Sequence, residues 1–128
     1  MKELSVDWVL ATHNPGKAGE LRALFAGLPV RLRPAADFDL PEPEETGKTF
    51  EANAELKAIA AAEASGFPAL ADDSGVEVEA LGGEPGVDTK LWAGPRADFA
   101  LARRRVNEEL EKLGPHTSRR ATYVLSLI

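Results

Sequence analysis

Short apolar runs alternate with segments of helical period along this sequence, and that alternation points to an α/β fold built on a mixed sheet. Residues 4–11 (LSVDWVLA) read as a strand, and adjacent Val9 and Leu10 imply burial on both faces near its end. Asn14 can cap the helix that follows, with Pro15 at its first position. Ala18, Leu21, Leu24, Phe25 and Leu28 recur at three and four residues, forming one apolar stripe. Residues 30–33 are a short strand, and residues 34–48, rich in proline and acids, read as an exposed loop. A second helix spans 49–65 and closes with Gly66 and Pro68. Residues 67–71 and 76–81 read as two strands joined by a tight acidic turn, Asp72-Asp73-Ser74-Gly75. A connector rich in glycine and proline, 82–94, precedes a third helix. Asp98 caps that helix, with Phe99, Val106, Leu110 and Leu113 inward. Residues 119–128 (RRATYVLSLI) have strand character.

The length, 128 residues, suits a single domain, 1–128, with a sizeable core. A net charge of −6 argues against a nucleic-acid-binding module, as does the lack of a face combining aromatic and basic residues. Cysteine is absent, which removes disulfides and thiolate chemistry from consideration. Glu3 and Asp7 interrupt any signal-like apolar region, and no run approaches membrane-spanning length. The expectation is a soluble, cytoplasmic protein. Because the sequence stops within an apolar strand, it also reads as continuing past Ile128 in the natural chain.

Three segments carry polar residues suited to phosphate chemistry. In ATHNPGKAGEL (residues 11–21) a strand, a turn and a helix start bring backbone N–H groups together. Thr12 and Asn14 add side-chain donors and Lys17 adds a charge. The segment lacks the glycine and the Ser/Thr of a P-loop, and a capped helix with an exposed lysine is the competing reading. In EETGKTFEANAELK (residues 44–57), Glu44 and Glu45 precede a helix on which Asn53 and Lys57 share one face. Lys57 there either snorkels to water or serves a site. In ADDSG (residues 71–75) an apolar strand delivers two acids where α/β sheets form ligand crevices, although the composition also suits an ordinary turn. Together the segments suit Mg²⁺-assisted phosphate chemistry, since Mg²⁺ takes one or two carboxylates plus water and phosphate oxygens. His13 and His116 have no metal-ligand spacing. The run Arg103-Arg104-Arg105 reads as a solvated surface, and Trp92 as packed rather than stacked on a base.

In their order and spacing, ATHNPGKAGEL, EETGKTFEANAELKA, PALADDSGVEVEALGGEPGV and the Ala-Gly of LWAG resemble the inosine/xanthosine triphosphate pyrophosphatase family. The resemblance implies hydrolysis of ITP, dITP and XTP to the monophosphate and pyrophosphate. It implies an elongated, twisted mixed sheet flanked by helices, in two lobes with a central cleft, usually in a homodimer. Carried over by position, Thr12, His13, Asn14, Pro15, Gly16 and Lys17 form the triphosphate-binding turn. Glu45 and Asp73 hold Mg²⁺, and Asp73 is also the proton acceptor that activates water. Ser74 contacts substrate, and Asn53, Lys57 and Asp72 are polar active-site positions. Two departures stand out. The family's Ser-Ala-Arg-Tyr is here Thr89-Lys90-Leu91-Trp92, which loses the arginine or replaces it by Lys90. The Gly-Tyr-Asp-Pro and Ser-His-Arg segments that hold the purine in the family, beyond the equivalent of Ile128, are not in this sequence. The alternative expectation is therefore a chain that binds nucleotide phosphates without turnover.

Overall fold

The computed structural model describes residues 6–12, 14–40 and 42–128. It divides into two compact units. The first comprises the described residues up to Gly47 together with Glu51–Asp72 and Leu127–Ile128, and the second comprises Lys48–Phe50 and Asp73–Ser126.

In the first unit, β1 (Val6–Leu10) leads to α1 (Pro15–Phe25), β2 (Val30–Pro34), a 3-10 turn (Ala35–Phe38), α2 (Phe50–Ser65) and β3 (Ala69–Leu70). The strands form a parallel sheet in the order β2-β1-β3, with Val6 opposite Val30 and Val9 opposite Ala69. From β2 the chain returns past β1 to reach β3, so the connection reverses direction at β1. Alternating side chains of a strand face opposite sides, and both sides here are covered. Leu10, Leu32 and Leu70 meet Ala18, Leu21 and Phe25 of α1 on one face. Val9, Ala11 and Ala71 meet Ala58 and Ala61 of α2 on the other. Val9 and Leu10 are both fully buried, as their adjacency predicts. Alanines on α2 let its backbone approach the sheet closely. The Asn14 cap and Pro15 start of α1 form as expected, and Gly66 ends α2 with φ +77, a conformation that favours glycine.

In the second unit, β4 (Asp72–Val78, entering it at Asp73) pairs with β5 (Ala121–Leu127). Between them lie 3-10 turns at Glu79–Leu81 and Gly86–Asp88, a one-turn helix α3 (Thr89–Trp92) and α4 (Phe99–Lys112). Asp98 caps α4, accepting from the N–H groups of Ala100 and Leu101.

Several expectations are corrected. Asp72-Asp73-Ser74-Gly75 is not a turn but the first half of β4, and the preceding strand is only Ala69–Leu70. Local composition favours a turn there, yet pairing with β5 prevails, and the chain reverses later. The Gly83 N–H donates to the Val78 carbonyl and Glu77 bridges Pro85. The strand expected over 76–81 therefore ends at Val78. The loop expected over 34–48 contains a 3-10 turn with Ala35 buried, and the 82–94 connector contains short helical turns. The apolar stripe of α1 is narrower than its period suggests, since Leu24 and Leu28 are exposed. On α4, Leu110 and Ala102 are buried while Phe99 and Leu113 are exposed.

Candidate functional site

Ligands of open α/β sheets bind beyond the carboxyl ends of the strands, where the connection reverses. In the first unit that place lies after β1 and β3, and both segments there carry predicted site residues. Lys17, in the first turn of α1, places its ammonium 2.7 Å from Asp72 Oδ2, just beyond β3. The Asp72 side chain is 3% exposed, and its second oxygen, Oδ1, is buried without a hydrogen-bond partner among the described residues. A buried carboxylate oxygen with no donor is costly and marks a place where a donor or cation would be stabilised.

The turn between β1 and α1 adopts the capped-helix arrangement. Asn14 Oδ1 accepts from the N–H groups of Gly16 at 2.9 Å and Lys17 at 3.3 Å, and the Thr12 hydroxyl accepts from Asn14 N–H at 3.2 Å. Two backbone donors expected to face an anion are thus held by the Asn14 side chain. His13 and the Pro15 side chain lie outside the described residues.

A second grouping lies along α2 and the segment before it. Asn53 and Lys57, one turn apart, both hold that segment. Asn53 is 1% exposed, and its Oδ1 accepts from Gly47 N–H at 2.7 Å. Lys57 Nζ lies 3.2 Å from Glu45 Oε1, with the side chains 12% and 23% exposed. Gly47 permits this close approach, because a Cβ there would stand 2.6 Å from Asn53 Oδ1 and 2.8 Å from the Ala52 Cβ. The helix face recognised from spacing therefore fixes the backbone beside Glu45 and partners its carboxylate. Asn53 is a positioning residue, with its carboxamide oxygen committed to Gly47.

In the second unit Asp73 is buried, and the Ser74 Oγ lies 3.2 Å from the Tyr123 hydroxyl, which donates to it from β5. Gly75 is tightly enclosed, with a Cβ position 2.5 Å from Thr89 Oγ1, 2.6 Å from the Gly86 carbonyl and 2.9 Å from Phe50. Thr89 Oγ1 accepts from Val76 N–H and donates to the Gly86 carbonyl, tying the connector to β4. Leu91, at the position where the resemblance implies an arginine, is exposed, and Trp92 lies under the Arg105 guanidinium at 5.0 Å. Arg103, Arg104 and Arg105 are all exposed, in keeping with the solvated surface expected of the run. Tyr123 and Gly47 carry no sequence signal of their own roles. Among the described residues no three His, Asp or Glu side chains gather as a ready cation site.

Relatives of this sequence share its pattern over nearly its whole length. The dITP/XTP pyrophosphatase of Rhodospirillum centenum is 52% identical over 119 residues, which cover 93% of this chain and 59% of that protein. That of Bartonella quintana is 49% identical over 122 residues, covering 91% of this chain and 56% of the relative. The chain thus spans a little over half the length of these curated relatives. A HAM1 protein from Coxiella burnetii has the same fold, with a TM-score of 0.87 at 38% identity over 95% of this chain and 61% of that one. A nucleoside-triphosphatase / dITP/XTP pyrophosphatase from Mycobacterium abscessus superposes with a TM-score of 0.77 at 32% identity, over 94% of this chain and 63% of that one. The Ham1 family model matches residues 8–128, and the chain belongs to the Ham1 family.

Proposed function

We propose that the protein hydrolyses non-standard purine nucleoside triphosphates, ITP, dITP and XTP, to the monophosphate and pyrophosphate. The observation that carries this reading is the meeting of Lys17 and Asp72 beyond adjacent parallel strands, where α/β sheets receive phosphates. The activity for which the relatives are named, dITP/XTP pyrophosphatase, supports it.

Lys17, the Asn14 carboxamide and the Thr12–Lys17 turn are the triphosphate contacts, with Lys57 on a further phosphate oxygen. Asp73 accepts a proton from water as the water attacks the α-phosphorus. The α–β anhydride bond then breaks, and pyrophosphate leaves. Ser74 contacts substrate, and the Tyr123 hydroxyl orients it. The residues fit Mg²⁺ as cofactor. The donors are hard carboxylate oxygens, and Glu45 already faces a positive charge, the Lys57 ammonium. Glu45 and Asp73 are its proposed ligands. When bound, Mg²⁺ neutralises phosphate charge and polarises the reacting phosphoryl group. A homodimer and a cytoplasmic location belong to the same proposal. Among the described residues no helix is long and apolar enough to cross a membrane.

The test is pyrophosphate release from ITP and XTP compared with ATP and GTP. Asp73→Asn is expected to lower the rate by about 10²- to 10⁴-fold, the usual contribution of a positioned base. Full activity in that variant, or preference for ATP, overturns the reading.

A further inference from the structure

The two lysines assigned to phosphate are both already paired with carboxylates, but the pairs differ in kind. Asp72 is almost fully buried beside Lys17, whereas Glu45 remains about a quarter exposed beside Lys57. We propose that the Lys57 ammonium is a resident cation for Glu45, and that a divalent metal arriving at Glu45 releases Lys57 to phosphate. Metal binding and phosphate binding are then coupled through one ion pair. The inference rests on Glu45 being a metal ligand, as proposed above.

Three observations support it. First, the Lys57 side chain is only 12% exposed, and the residue lines a cavity of about 70 Å³ with the apolar Ala11, Ala35, Leu40 and Ala61. Only the ammonium end is left to change partner, which requires side-chain rotation and no backbone movement. Second, the chain is anchored two residues after Glu45 by a contact that does not involve Lys57, because the Gly47 N–H donates to Asn53 Oδ1. That anchor limits how far the segment carrying Glu45 can shift when its cation is exchanged. Third, a divalent ion and an ammonium on one carboxylate repel each other in a partly desolvated place, so metal at Glu45 weakens its pairing with Lys57. Exchange is the electrostatically consistent outcome. By linkage, the factor by which metal raises phosphate affinity equals the factor by which phosphate raises metal affinity.

The experiment is calorimetric titration with Mg²⁺ alone, then with pyrophosphate in the presence and absence of Mg²⁺, on this chain and its variants. Lys57→Met removes the competing cation, so it is expected to bind Mg²⁺ about tenfold more tightly, within the usual range of site coupling. The same variant is expected to lose the dependence of pyrophosphate affinity on Mg²⁺ that the parent chain shows. Lys57→Gln, which keeps a polar end, is expected to behave alike and serves if the methionine variant misfolds by circular dichroism. Unchanged or weaker Mg²⁺ binding in a folded Lys57 variant, with Glu45→Gln abolishing binding, overturns the exchange while leaving Glu45 as a ligand. Parental Mg²⁺ affinity in Glu45→Gln overturns the underlying metal assignment, and the exchange with it.

Discussion

The three-stranded sheet of the first unit is covered on both faces, while the two-stranded sheet of the second leaves much of its apolar surface open. Val9 and Leu10 are adjacent and both fully buried, one against α2 and the other against α1. On β5, Tyr123 and Leu125 alternate along one face and are 67% and 57% exposed. A cavity of about 540 Å³ lies among Val76 and Val78 of β4 and Phe99, Val106 and Leu110 of α4. A parallel sheet has crossover helices on both faces as a consequence of its connectivity, and a two-stranded sheet has no such guarantee. The lesson concerns precision. Lys17, Asp72, Asn53 and Lys57 project from a doubly covered scaffold, and a side chain on a packed element is held more closely than one on a loose element.

The sharpest way to break this comparison is to delete the same atoms in each unit. Leu10→Ala opens a cavity between β1 and α1, and is expected to destabilise the chain by about 2–5 kcal/mol in urea unfolding. Leu125→Ala removes an exposed side chain and is expected to change stability by about 0.5 kcal/mol or less. Comparable losses in the two variants would show that the open face of β5 is covered in solution.

The comparison is sharpened by a place where the second unit is tightly packed. Gly75→Ala drives a Cβ to within 3 Å of Thr89 Oγ1, the Gly86 carbonyl and Phe50, two of them fixed by hydrogen bonds and backbone. Overpacking of this kind is expected to cost about 1–3 kcal/mol and to speed hydrogen exchange at Val76 N–H, which Thr89 Oγ1 accepts. Gly19→Ala in α1 meets no atom within 4 Å and is the control, expected to stabilise by about 0.5–1 kcal/mol. Equal responses would mean that the close approach at Gly75 is absent in solution.

How far the sequence reveals this architecture depends on whether the deciding interaction is local. The start of α1 is legible because Asn14 and Pro15 act within one turn, and the end of α2 because its closing conformation, at φ +77, favours glycine and Gly66 stands there. The first part of the strand Asp72–Val78 is not legible, although its end at 76–78 is, since Asp72, Asp73 and Gly75 favour a turn until β5, more than forty residues later, supplies a partner. The stripe on α1 has the right period, but its 11-residue helix covers the sheet only with Ala18, Leu21 and Phe25. The candidate site divides in the same way. The shared face of Asn53 and Lys57 follows from spacing, whereas their grip on Gly47 and Glu45 depends on how an irregular segment closes onto α2. The Tyr123–Ser74 contact spans 49 residues and leaves no trace in either local sequence.

The smallest effect belongs to the rim of the first sheet, and it separates the contribution of charge from that of coverage. Asp7 and Arg31 stand opposite each other on β1 and β2 and form a two-pronged pair, with both N–O distances 2.8 Å. The hydrogen bond from Arg31 holds the Asp7 carboxyl below its ordinary value of 3.8, with a smaller opposing effect of burial and further lowering by the charges of Arg31 and Arg33. A depressed carboxylate stabilises the fold above its unfolded pKa, and that contribution disappears as pH falls through the folded one. The difference in melting temperature between the parent chain and Asp7→Asn is therefore expected to be small and constant from neutral pH down to about pH 5, then to close at lower pH. A difference as large as that of Leu10→Ala would mean that the exposed ion pair, rather than the two covered faces, sets the first unit apart.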